Sequence, residues 1–179
     1  MKKPIYQALS QIFAVLFLIV GCGAMFGGNY AHSFVTEQLT QEKITMPEGA
    51  AITSLKNPDA QAALQPFAGQ PLTTGEQAKA YADNFIWEHM MASANGRTYQ
   101  ELGDDIKKAK ADGKSEEEIK KLNDARETSF KGDTLRGILL SAYGWWLVGT
   151  IALYAGVAMI VVAVLLALAA ATVLRTKRA

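Results

Sequence analysis

Few side chains in this sequence could carry chemistry. Its 179 residues include two histidines, His32 and His89, and one cysteine, Cys22. Glu88 and His89 are neighbours, so on a helix they point about 100° apart. They cannot form the H-E-x-x-H arrangement, in which two imidazoles one turn apart grip zinc. His89 also continues an apolar stripe, the setting of a packed or interfacial histidine. The sequence contains no P-loop, G-x-G-x-x-G or G-x-S-x-G motif, hence no phosphate cradle or nucleophile elbow. Carboxylates are numerous, but they crowd the charge-rich stretch 104–126 rather than pairing in an apolar pocket that would separate their pKa values. The expectation is a non-enzymatic protein with no catalytic residues, no metal and no cofactor.

The elements that hold these residues are dominated by two apolar runs. Gly137 to Leu174 carries no charged side chain, and Pro4 to Thr36 carries none either. A helix needs roughly 20 apolar residues to cross a bilayer. The tails hold Lys2, Lys3, Arg175, Lys177 and Arg178 and no acid. The other 13 basic residues and all 17 acidic ones lie between His32 and Gly137, which gives that stretch a net charge of −4. Basic tails stay on the cytoplasmic side of a membrane. The expected organisation is therefore a cytoplasmic tail at 1–7, a transmembrane helix at 8–30 and an extracytoplasmic helical domain at 31–136. A second transmembrane helix with an outer extension follows at 137–173, then a cytoplasmic basic tail at 174–179. The fold class is mainly α. An acidic exterior and near-neutral total charge argue against nucleic acid as a partner.

Within the first run, Leu18-Ile19-Val20-Gly21-Cys22 fits the pattern of a bacterial lipobox, which would make Cys22 a lipidation site. The apolar run continues past it through Phe26, unlike a cleaved signal, so an uncleaved membrane helix is expected. Gly23 and Gly27 form a G-x-x-x-G pair, and Ala152 and Gly156 give the second helix a matching small-residue face. Small residues let helix backbones approach closely. Tyr143, Trp145 and Trp146 fit an interfacial aromatic belt.

The middle stretch has no cysteine and hence no disulfide support. Capping signals recur at Thr73/Thr74 with Glu76/Gln77, at Thr98 with Glu101 and at Ser115 with Glu118. Stops are expected at Asn95-Gly96 and Asp112-Gly113. On the helix over about 75–94, Ala78, Tyr81, Ala82, Phe85 and His89 share one face by i, i+3, i+4 spacing, so Tyr81 and Phe85 are expected in the domain's own core. Trp87 and Met90 fall off that stripe and are expected to meet a partner or the membrane surface.

Several stretches, in order, resemble a family of small actinobacterial membrane proteins with two membrane helices. They are 38–48 (QLTQEKITMPE), 76–82 (EQAKAYA) followed by His89, 96–102 (GRTYQEL), Ser129-Phe130 and 135–139 (LRGIL). Against shorter members, 103–121 looks like an insertion, and Cys22 is not part of the pattern. Members often carry the label of an aromatic ring-opening dioxygenase. That chemistry needs iron held by histidine and carboxylate ligands, and two distant histidines do not supply it. The resemblance implies topology and lineage.

These features together lead to an accessory or scaffold subunit of a larger cell-envelope complex, with a respiratory assembly or a transporter among the hosts it fits. Its partners would be other integral membrane subunits and membrane lipid. The alternative is a membrane-anchored module that binds lipid or another envelope molecule in an apolar groove near Trp87 and Met90. An envelope hydrolase working through carboxylates is the remaining enzymatic reading.

Overall fold

The computed structural model describes residues 3–172. The basic residues Lys2, Arg175, Lys177 and Arg178, on which the expected orientation of the tails rests, lie outside them. The chain is mainly helical and divides into two compact units, one of residues 1–34 with 145–179 and one of residues 35–144. Two helices are long and apolar enough to cross a membrane, α1 (Lys3–Gln41) and α7 (Glu116–Ala171). The expected boundaries at 7/8 and 136/137 fall inside these helices. The acidic arm that opens at Ser115 and the charge-free run are one helix of 56 residues. No proline interrupts it, and the i, i+4 pairs Glu117–Lys121, Lys120–Asp124 and Glu127–Lys131 support its polar half.

The first unit is an antiparallel helix pair. Its buried positions are Ala14, Gly21 and Gly28 on α1 and Gly149, Gly156, Ala163 and Ala170 on α7, each set spaced by seven residues. A Cβ placed on Gly21 would lie 2.9 Å from the Gly156 carbonyl oxygen, and one on Gly28 would lie 2.7 Å from that of Gly149. The backbones therefore touch where side chains are missing. A seven-residue repeat keeps one seam facing the partner helix and winds the pair left-handedly. Large apolar side chains point the other way: Ile12, Ile19, Phe26, Ile151, Tyr154 and Leu165 are all exposed.

Within the helix pair the packing face differs from the expected one. Gly23 and Gly27 are exposed, and a Cβ on either would meet nothing within 4 Å. Gly156 does lie in the seam, opposite Gly21, while Ala152 is half-buried beside it. The four-residue spacing of Gly23 and Gly27 puts them on a neighbouring face, because the seam follows the period of seven.

The second unit begins with Val35 and Leu39 at the end of α1, both buried. The chain then turns at Lys43 (φ 53°) into a short extended pairing, with Met46 N–H donating to Gln70 and Leu72 N–H to Ile44. α2 (Ala50–Thr53) and α3 (Pro58–Leu64) follow, α3 capped by the Asn57 side chain with Pro58 in its first turn. α4 (Gly75–Ala80), a π-helical turn (Tyr81–Ile86) and α5 (Trp87–Ser93) run on without a break. Thr74 and Gln77 form a reciprocal capping box at their start, and left-handed Asn95 and Gly96 follow their end. α6 (Tyr99–Ala111) carries the second box, Thr98 with Glu101.

Ala78, Ala82, Ile86, Met90 and Ala94 are the buried line of this rod, spaced strictly by four. In a pure α-helix each four-residue step drifts by about 40°. The wider π turn winds back against that drift and keeps the line straight. Met90, expected at an outer contact, is instead only 4% exposed and packs its thioether against Gly132. Tyr81 and Phe85, expected in the core, are half-buried at the edge of a groove.

The seam predicts opposite fates for glycines that look alike. Gly28→Leu or Gly156→Leu should destabilise the helix pair by about 1–3 kcal/mol or more, the usual range for overpacking. Gly23→Leu and Gly27→Leu should leave its thermal unfolding in detergent unchanged. Equal destabilisation by all four would place the seam wrongly.

Candidate functional site

Three places gather polar or aromatic side chains. The first lies in the helix pair. His32 stacks on Trp146, with ring centroids 3.9 Å apart and planes 4° from parallel. His32 Nε2 lies 3.0 Å from both the Trp146 carbonyl oxygen and Thr150 Oγ1. A carbonyl can only accept, so Nε2 bears the hydrogen, and the Thr150 hydroxyl donates to the same carbonyl at 3.0 Å. Gly149 makes the room: a Cβ there would lie 2.7 Å from His32 Cδ2. A polar ring among apolar helices is tolerated when its hydrogen bond is made across the pair.

Of the expected aromatic belt, then, Trp146 is engaged inside the pair. Trp145 is 60% exposed. With Tyr30 and Phe34 it lines an apolar groove of about 440 Å³ floored by Ala24, Gly27, Ala31 and Ala152. Tyr143 belongs to the second unit, where the Lys79 ammonium lies 5.7 Å from its ring centroid. Cys22 is exposed on the outer face of α1.

The second place is built on the π turn. Because hydrogen bonds there skip one residue further, the Ala82 carbonyl accepts from Trp87 N–H and also from Arg136 Nε at 3.0 Å. The same guanidinium donates to Asp83 at 3.3 Å and lies over the Trp87 ring at 4.5 Å. Trp87, expected at a partner or membrane contact, is thus half-buried beneath an arginine of its own chain. Burial by itself would raise the Asp83 carboxyl, but the hydrogen bonds and charges of Lys79 and Arg136 outweigh it and hold Asp83 below the ordinary carboxylate range.

The third is the groove beside this rod, about 510 Å³, walled by Tyr81, Phe85, Ile86, Met90 and Leu135, with His89 and Lys131 at its edge. Tyr81, Phe85 and His89 form a ladder of rings 5.1 and 4.2 Å apart. His89 Nδ1 donates to the Phe85 carbonyl at 2.8 Å, which fixes its ring along the rod.

Among the described residues, no group of three His, Cys, Asp or Glu side chains is placed to hold a metal ion. Set against known protein families, curated proteins and solved structures, the chain matches none. The sequence reading found the aromatic residues and missed how they are used. His32, Gly149 and Thr150 carry a legible signal, since a lone imidazole in a charge-free run must find an acceptor. The Arg136–Ala82 bond has none, because it depends on a π turn.

Removing the guanidinium should take one of two donors from the Ala82 carbonyl, unpair Asp83 from its arginine and uncover Trp87. Arg136→Ala is expected to destabilise the second unit by about 1–3 kcal/mol. Arg136→Lys should fail to restore it, because an ammonium cannot stack on Trp87 and donate sideways at once. Asp83 adds a pH dependence of fixed sign. Its folded pKa is depressed, so its contribution is complete above the unfolded value of about 3.9 and is lost as pH falls through the lower folded value. Denaturant unfolding followed by tryptophan fluorescence, for wild type and Asp83→Asn across that range, checks both. An acid sensitivity unchanged in Asp83→Asn would contradict the assignment.

Proposed function

We propose that this chain is a non-enzymatic accessory or scaffold subunit of a larger membrane complex in the cell envelope. Two spanning helices anchor it, both termini are cytoplasmic and the acidic middle is extracytoplasmic. One observation carries the reading. The helix pair draws its backbones together at glycine and alanine, with Met25, Leu153 and Ile160 packed over the contact, and turns most of its large apolar side chains outward. An apolar surface of that extent needs lipid or other helices to cover it. Gly23, Gly27 and Ala152, left outside the seam, keep an open face where a further helix can approach.

The seam also supports retention of the N-terminus. Cleavage before Cys22 would remove Ala14 and Gly21, two of the three buried α1 positions of the seam. A second reading, a module that holds a lipid or another envelope molecule, is favoured by the groove of Tyr81, Phe85, Met90 and Leu135, whose walls are almost wholly apolar.

Purification in mild detergent followed by native mass spectrometry separates the two. Stoichiometric membrane-protein partners are expected, on a chain whose mass includes the residues before Cys22. A lipid adduct with no protein partner would replace the subunit reading by the binding module. The topology is tested in intact cells lacking the native thiol. A cysteine at Lys114 should react with an impermeant maleimide and one at Ala179 should not. Labelling at 179 from outside would overturn the orientation.

A further inference from the structure

Arg126 stands apart from the other charged side chains of its helix. On α7 the neighbouring charges are matched one turn apart: Lys120 with Asp124, Lys121 with Glu117, Lys131 with Glu127. One turn from Arg126, in either direction, stand Leu122, Asn123, Ser129 and Phe130, none of them acidic. The other two described arginines are paired, Arg97 with Asp105 and Arg136 with Asp83. Arg126 has no acceptor among the described residues, and its Nε is buried without a hydrogen bond. What holds the guanidinium is an aromatic plate. Its carbon lies 4.1 Å from the centre of the Tyr99 ring. Behind it, α6 comes close at Gly103, where a Cβ would stand 3.4 Å from Nε. Phe130, 57% exposed, tilts against Tyr99 at 6.0 Å and forms the other wall of a cleft of about 370 Å³ that Asn123 and Glu127 complete.

A fixed, stacked guanidinium without a carboxylate is built to receive one. Arginine and tyrosine are the residues that most often dominate protein interfaces, especially where an aromatic surface shields the charge pair from water. The cleft is shallow and open, and small-molecule sites enclose most of their ligand. Arg126 also precedes Tyr143 by 17 residues, about 26 Å along the helix, which separates it from the aromatic end where lipid headgroups are expected. We infer that Tyr99, Arg126 and Phe130 form a docking surface for a protein partner, and that Arg126 takes an aspartate or glutamate side chain of that partner. Glu127 at the edge of the cleft is already held by Lys131, so it does not compete for the guanidinium. The inference rests on the subunit reading and specifies one of its contacts.

The test uses the full chain in its own membrane, with the photo-crosslinker p-benzoyl-phenylalanine in place of Asn123. The expected product is a single protein adduct whose crosslinked peptide, identified by mass spectrometry, lies beside an acidic residue. Arg126→Glu should lower its yield roughly tenfold or more, and reversing the charge of that partner acid to arginine should restore it. Arg126→Glu should still unfold cooperatively, at a temperature lowered only by the lost stacking on Tyr99 and no lower than that of Arg126→Gln, which separates lost docking from lost folding. An adduct with lipid alone, no adduct, or a yield indifferent to Arg126→Glu would each overturn this contact. Partners that still co-purify in those cases would leave the subunit reading standing, and their absence from the wild-type preparation would remove both.

Discussion

The helix pair depends on a backbone contact. Where Gly21 meets Gly156 and Gly28 meets Gly149, the carbonyl of one helix occupies the space a Cβ of the other would need. Side chains of the partner helix lie over the same glycines, Ile160 on Gly21, Leu153 on Gly28 and Met25 on Gly156, so the attraction is van der Waals contact in which main chains touch directly, repeated every seven residues. The consequence is an inverted distribution of size. Small residues lie inside, and phenylalanine, leucine, isoleucine and valine lie outside, the reverse of a water-soluble bundle. The same closeness explains why one imidazole is accommodated: Gly149 leaves the width of a ring, and the Trp146 carbonyl supplies the acceptor.

The second unit is organised by a different constraint, the single π turn. It lets Ala78, Ala82, Ile86, Met90 and Ala94 form one straight buried line and turns the Ala82 carbonyl toward Arg136. Arg136 is the last charged residue before the charge-free part of α7. Its three contacts, to Ala82, Asp83 and Trp87, fasten that point of α7 to the π-turn rod. Tyr81, Phe85 and His89 are left along the rod's other side as a ladder beside an open groove. The unit thus has a small core of its own and still presents two aromatic surfaces, the groove and the cleft at Arg126.

Local chemistry was readable from the sequence where it acts over three or four residues. The capping boxes at Thr74 and Thr98, the left-handed stops at Asn95-Gly96 and the turn at Gly113 form as their residue types dictate. The two apolar runs and the helical class were equally plain. The packing faces were not. Gly23 and Gly27 carry the more familiar spacing, but which stripe of a uniformly apolar helix faces its partner is decided by the partner's shape, and glycine at 149 and 156 selects 21 and 28. The assignment of Met90 to an outer contact failed because a fixed 100° step breaks down where the helix widens at Tyr81–Ile86. Trp87 was assigned to a partner or membrane contact and Trp146 to an interfacial belt, yet the groups they meet, Arg136 and His32, lie 49 and 114 positions away in the chain.

The central claim is the register of the seam, and disulfide trapping in membranes tests it most directly. In a Cys22→Ser background, Ala14→Cys should pair rapidly with Ala163→Cys under mild oxidation, because the antiparallel register set by Gly21–Gly156 and Gly28–Gly149 brings these two positions face to face. Ala14→Cys with Gly156→Cys, one heptad out of step, is separated by about 10 Å of helix rise and should not pair. Faster trapping of the second pair, or equal trapping of both, would contradict the seam and the account built on it.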